Sequence, residues 1–108
     1  MKCTAGISAG ICGFTTTVIA EADEEIVTLS LTTDCQKVQG LADALSGRPV
    51  DAYDEIHRGH DGAIMTAVRE RLLGCCAGCA VPVGIFKTMQ VAARVALPRD
   101  VTVTIRSE

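Results

Sequence analysis

A strict alternation of apolar and polar residues is the sequence feature that most restricts the fold. Val27, Leu29 and Leu31 alternate with threonine and serine, which is typical of a β-strand with one covered face. Residues 14–21 are also rich in β-forming residues, and the short polar stretch at 22–25 suits a turn. The sequence therefore predicts an antiparallel hairpin near the N-terminus.

The position of the turn sets the register of this hairpin. A turn centred on residues 23–24 pairs Val18 with Leu29 and gathers the apolar side chains on one face, which a slip of one residue would scramble. The same register places Cys12 opposite Cys35, at the open end of the hairpin and on its covered face. Directly opposed residues have Cβ atoms about 4.5–5.5 Å apart, so we expect these two thiols to be neighbours.

The spacing of apolar residues becomes helical after the hairpin. The first such stripe predicts an amphipathic helix and comprises Val38, Leu41, Ala42 and Leu45. Thr33 and Gln36 have the spacing of a capping box at its start. The pattern predicts one helical turn at 51–56, a further helix at 62–73 and a largely apolar helix at 83–96.

A second alternation closes the chain, because Val101, Val103 and Ile105 are separated by polar residues. It predicts a last strand beside the hairpin. With 108 residues, of which 48% are hydrophobic, the chain is the size of one domain with one core. The predicted fold is therefore a single α+β domain over residues 1–108. Its mainly antiparallel sheet has three strands, the N-terminal hairpin plus the C-terminal strand, and about three helices pack on one face.

Cysteine content is the main functional clue. The chain has six cysteines: Cys3, Cys12, Cys35, Cys75, Cys76 and Cys79. Cys76 and Cys79 form a C-x-x-C before the most apolar helix, whose N-terminal amides favour negative charge, and Cys12 and Cys35 face the side that helices cover. Four thiolates are the usual ligands of an iron–sulfur cluster or a zinc ion. We predict an iron–sulfur site, with zinc as the alternative, formed by Cys12, Cys35, Cys76 and Cys79, and with Cys75 as an alternative ligand.

Two other interpretations of the cysteines stay open. Cys76 and Cys79 could form a redox dithiol, because such pairs occur at helix N-termini, or the thiols could be buried in a structural, partner-binding module. His57 and His60 lie among acidic residues and could bind a metal, although a solvated polar loop accounts for them better. The sequence has no Ser-His-Asp, P-loop or G-x-G-x-x-G pattern, so it gives no support for catalysis.

Charge and hydropathy restrict the partners. A net charge of −3 and an aromatic content of 3% argue against nucleic acid. No stretch of 18 residues is apolar without interruption by glycine, threonine or charge, so we expect no membrane span. The start of the chain lacks a signal-peptide pattern, and we expect a cytoplasmic protein that works with a redox or accessory partner. Ile19 and Ile26 lie on the otherwise polar face of the hairpin and would suit a homodimer.

Four segments together resemble a small family of uncharacterised cysteine-containing proteins from anaerobic archaea and bacteria. They are AGICG at 9–13, DC at 34–35, CCAGCAVP at 75–82 and ALPRDV at 96–101. The resemblance covers nearly the whole chain. It implies an anaerobic, reducing setting and carries no function that can be transferred.

Overall fold

The hairpin belongs to a four-stranded antiparallel sheet with the strand order β1-β2-β3-β4, in a computed structural model that describes residues 1–108. The strands are β1 (Lys2–Ser8), β2 (Thr15–Asp23), β3 (Ile26–Thr33) and β4 (Pro49–Asp51). The helices are α1 (Gln36–Leu45), α2 (Ala52–Arg58), α3 (Ala63–Arg71) and α4 (Val81–Ala92), with short 3-10 helices at Gly59–Asp61 and Gly74–Gly78. The α+β class is confirmed, with one more strand and one more helix than predicted.

The predicted hairpin is confirmed as β2 and β3, but its register differs by two residues. Val18 pairs with Leu31 and not with Leu29, because the turn consists of Glu24 and Glu25 and Glu24 adopts a positive φ of 55°. A shift of two residues leaves each side chain on its original face. The apolar row therefore still points to the helices and is buried.

The predicted opposition of Cys12 and Cys35 is wrong. β2 begins only at Thr15, so Cys12 lies in the loop before the strand. The ladder between β2 and β3 ends at the pair Thr16 and Thr33, and Cys35 lies beyond it. The two thiols are therefore not cross-strand neighbours.

The predicted C-terminal strand is not formed, since residues 97–108 have no regular secondary structure. The third and fourth strands are β1, which pairs along β2, and the short β4, which pairs with the start of β3. Pairing β1 with the next strand along the chain closes only a short loop, so its entropic cost is low. The sequence pattern of β1 is weak, because only Cys3, Ala5 and Ile7 face inward and two of these side chains are small.

The helices form one layer on the sheet. α4 lies on β1 and β2, α1 lies on β3, and α3 packs against α1. One cluster of buried apolar residues joins the two layers. The predicted capping box at α1 is wrong, because Cys35 is the N-cap residue and the Thr33 hydroxyl accepts a hydrogen bond from the Cys35 amide instead.

A buried carboxylate fixes the start of α3. Glu55, on α2, is 3% exposed, and its oxygens accept hydrogen bonds from the amides of Ala63 at 2.9 Å and Ile64 at 2.7 Å. These amides have no acceptor within the helix. Gly62 leaves room for the carboxylate, since a Cβ there would lie 2.7 Å from Glu55 Oε2.

Replacing Glu55 with alanine should therefore lower the free energy of unfolding by about 2–3 kcal/mol, because one buried and one part-buried amide lose their charged acceptor. Urea unfolding followed by far-UV circular dichroism measures this loss. Asp54→Ala is the matched control: its carboxylate makes only an exposed ion pair with Arg58, so a loss below about 0.5 kcal/mol is expected. Equal losses in the two variants would contradict the capping role of Glu55.

Candidate thiol site

Three strands define one end of the sheet, which we call the cysteine end. β1 finishes there at Ser8, β2 begins at Thr15 and β3 finishes at Thr33. The opposite end carries the turn between β2 and β3 and the N-terminal Met1. Any segment that connects to these strand termini at Ser8, Thr15 or Thr33 therefore begins at the cysteine end.

Cys35 lies at the cysteine end, between β3 and α1. The preceding residue, Asp34, accepts a hydrogen bond from the Thr15 amide at 2.8 Å, which ties the entry of α1 to the start of β2. The Cys35 amide donates to Thr33 Oγ1 at 3.1 Å. The Cys35 side chain is half-buried and packs against the core, so this thiol is held in place.

Cys12 lies in the loop that joins β1 to β2 at the same end. The loop is closed at its base by a hydrogen bond from the Ala9 amide to the Phe14 carbonyl, at 3.2 Å. Gly10 and Gly13 both adopt positive φ, at 92° and 75°, a conformation that other residues rarely adopt. Cys12 is exposed at the tip of this loop.

Cys75, Cys76 and Cys79 lie in the tight turn before α4, which we call the cysteine turn (residues 74–79). The turn is closed by a hydrogen bond from the Cys79 amide to the Cys76 carbonyl at 3.1 Å. Cys76 and Cys79 are half-buried against the core, whereas Cys75 is exposed. Cys79 Sγ accepts a hydrogen bond from the Val81 amide at 3.5 Å, and Pro82 follows in the first turn of the helix, as predicted.

The packing of α4 on β1 brings the cysteine turn to the cysteine end. Gly84, in the first half of α4, lies against Ile7 near the end of β1, and a Cβ at Gly84 would be 2.8 Å from Ile7 Cγ1. The other end of α4 is near Met1, which shares a surface pocket with Ala93 and Arg94. α4 therefore runs antiparallel to β1 and starts where β1 finishes.

The structure thus places five of the six cysteines at one end of the sheet, although they come from three separate segments. Cys3 is the exception, because it pairs with Ala20 in the half of β1 near Met1. All six thiols are free. No group of three or more His, Cys, Asp or Glu side chains is close enough together to hold a metal ion.

The second metal candidate from the sequence has another explanation. His57 and His60 are exposed, and the buried acid beside them, Glu55, caps α3. The His60 carbonyl accepts a hydrogen bond from Arg69, which also forms an exposed ion pair with Asp61. This polar segment connects α2 to α3 and does not gather ligands.

One stretch, Gly74–Ala92, is long and apolar enough to cross a membrane by length and composition, with a mean hydropathy of 1.3. The core helix of a folded domain has the same properties. In this fold the stretch consists of the 3-10 helix of the cysteine turn followed by α4, which covers the sheet.

Comparison with known proteins gives a family. The sequence profile of DUF6951, a family of unknown function, matches residues 3–105. The chain belongs to the DUF6951 family. The DUF6951 match includes all five cysteines of the cysteine end and extends to Ile105 in the C-terminal segment. No curated protein and no solved structure matches the chain.

Sequence reasoning missed the residues that position the site. Gly84 carried a signal, since an isolated glycine inside an apolar helix indicates close packing. Asp34 precedes a helix and is the residue type that accepts hydrogen bonds from backbone amides at such junctions. The acceptor role of Glu55 left no local signal, because its partners lie eight and nine residues further along the chain.

The contact between Gly84 and Ile7 can be tested with a double-mutant cycle. Gly84→Ala should destabilise the wild-type protein by about 1 kcal/mol, because the added methyl displaces Ile7 from a packed position. In an Ile7→Ala background the same change should stabilise by about 0.5–1 kcal/mol, since alanine favours helix.

Urea unfolding of the four proteins gives the coupling energy, which should be at least about 1 kcal/mol. An effect of Gly84→Ala that is equal in both backgrounds would show that α4 does not lie against β1 as described.

Proposed function

We propose that this protein binds an iron–sulfur cluster, or zinc as the alternative, through thiolates at the cysteine end. The ligands are Cys12, Cys35, Cys76 and Cys79, with Cys75 as the alternative to Cys76. The observation that carries the proposal is the collection of five of six cysteines, from three segments far apart in sequence, at one end of the sheet. Four thiolates suit both cofactors.

The cysteine turn supplies the better-ordered half of the site. Cys76 and Cys79 share one hydrogen-bonded turn and rest against the core, so little ordering is needed before they bind. The amide of Val81 already donates to Cys79 Sγ. Hydrogen bonds of this kind orient metal ligands and tune the metal, and the start of α4 adds the favourable end of the helix dipole.

The loop that carries Cys12 supplies the half of the site that must move when the cofactor binds. Since no three ligands lie together in the structure, binding requires this loop to move towards the cysteine turn. Gly10 and Gly13 are the positions at which the backbone can adjust most easily. The movement would also cover Ile11, which is now fully exposed to water, and burial of that side chain favours the closed form.

The role that follows is electron transfer, cluster carriage or service as an accessory protein to a redox partner. Thiolates of this kind need a reducing compartment, which agrees with a cytoplasmic location and with the anaerobic setting implied by the resemblance. No catalytic residue is assigned for this role.

A thiol–disulfide exchange protein is the second candidate, and the cysteine turn favours it. Cys76 and Cys79 lie on one turn at the entry of a helix, where redox dithiols are found. Their two thiols would lose two protons and two electrons to a partner's disulfide, which would leave as two thiols while Cys76 and Cys79 form a disulfide. This function uses no other cysteine.

Purification without oxygen, followed by iron, sulfide and zinc analysis and a visible absorption spectrum, tests the proposal. Matched iron and sulfide with broad sulfide-to-iron absorption is the expected result. Zinc in a colourless protein would support the alternative cofactor. A metal-free protein that also fails to bind either cofactor on reconstitution would contradict both.

Single serine substitutions separate the two candidate functions. Cys12→Ser, Cys35→Ser and Cys79→Ser should each weaken metal or cluster binding by more than about 10-fold if the thiolates act as one site. Cys3→Ser is the control, because Cys3 lies towards the other end of β1, and it should leave binding unchanged. If only Cys76→Ser and Cys79→Ser have an effect, and the effect is on a reversible disulfide, the dithiol function is correct.

A further inference from the structure

The C-terminal segment is the one part of the chain without any partner. The last backbone hydrogen bond runs from the Val95 amide to the Gln90 carbonyl at 3.0 Å. Residues 97–108 make no hydrogen bond and no ion pair. We call this segment the tail.

The tail nevertheless has the pattern of a strand. Val101, Val103 and Ile105 alternate with threonine, and these three apolar side chains are 55%, 76% and 89% exposed. Burying these side chains would remove apolar surface from water, which stabilises the buried state by roughly 25 cal/mol for each Å². The family match runs as far as Ile105, so the matched region includes these three residues.

A sheet edge that lacks a neighbour is also present. β1 pairs with β2 along one side only, which leaves its other row of amides and carbonyls free. Its inward row, Cys3, Ala5 and Ile7, is only half-buried, whereas Val18 and Ala20 on the adjacent strand are fully buried. One more strand with an apolar face would complete the cover of β1.

Charge selects the direction in which the tail fits this edge. In a parallel arrangement with Val101 beside Cys3, Asp100 lies near Lys2 at one end of the edge strand. An antiparallel arrangement that aligns all three apolar pairs would set Arg106 against Lys2, which already forms an ion pair with Glu21 at 3.6 Å, and like charges on neighbouring strands are unfavourable. The parallel arrangement therefore matches both the apolar row and the charges.

The exit from α4 indicates which copy of the chain supplies the edge. The tail leaves near Met1, at the start of its own β1, yet it does not pair there. Arg94 has a positive φ of 65°, which is strained for a residue other than glycine, and Pro98 fixes its own φ and restricts Leu97, so the connection over residues 93–100 is restricted at two points. Strained hinges favour the exchange of a segment between copies over closure within one copy.

We propose that two copies of this chain exchange their tails, with residues 101–105 of each copy pairing in parallel along the free edge of β1 in the other. The exchange gives a closed two-fold dimer in which both edges and both tails are paired. It uses the free edge of β1 and none of the cysteines that are proposed as ligands.

Sedimentation equilibrium of the full chain is the first test, and a mass of twice 11.3 kDa is expected. Val103→Asp should weaken the dimer by about 100-fold or more, because it places a charge in the row that becomes buried. Thr102→Asp is the matched control on the polar face of the same tail and should remain dimeric. Both variants should fold, since the tail makes no contact that folding needs.

A monomeric wild-type chain would overturn the proposal, and so would a Val103→Asp protein that stays dimeric. In the latter case the open sheet face with Ile19 and Ile26 becomes the interface.

Isotope mixing distinguishes exchange from closure within one chain. A V101C variant, made with and without ¹⁵N, is unfolded, mixed, refolded and oxidised, so that the new thiol can bond to Cys3. Peptides that join the two positions should include pairs with one labelled and one unlabelled half. If both halves always carry the same isotope, the tail pairs within its own chain and the exchange is excluded.

Discussion

Helix α4 lies close against β1 because position 84 has no side chain. This contact sets the positions of the segments before and after α4. A Cβ at Gly84 would overlap Ile7, so the helix and strand approach at the distance that only glycine permits. The first half of α4 is thereby placed over the C-terminal end of β1. The cysteine turn before the helix and the start of the tail after it are therefore at opposite ends of the sheet.

The cysteine turn is fixed from its other side by α3. Glu55 accepts hydrogen bonds from the first amides of α3, and α3 packs against α1, whose N-cap is Cys35. One buried carboxylate and one glycine thus position the two helices that flank the turn. The loop with Cys12 has no comparable restraint, which explains why the thiols share an end of the sheet without yet forming a ligand cluster.

The elements that could be predicted from sequence are those with a strong local period. The alternation through Val27 to Leu31 gave the correct faces of the hairpin even though the turn moved by one residue, because a two-residue shift preserves side-chain alternation. β1 was missed because its inward residues include Cys3 and Ala5, which carry little hydrophobic signal. The tail was predicted as a strand because its pattern is that of one, but a strand also needs a partner, and a single chain's sequence does not say which edge receives it.

Thiols from three segments converge at one end of the sheet, and cobalt(II) binding tests this convergence most directly. Cobalt(II) bound by thiolates absorbs visible light, and its unpaired electrons broaden the NMR signals of nearby amides. The account predicts thiolate-to-cobalt absorption with broadening confined to residues 9–14, 34–36 and 74–81. The amides of the turn at 23–26, at the opposite end of the sheet, should stay sharp. Broadening centred on Cys3 or on the histidines at 57 and 60, or the absence of any localised broadening, would contradict it.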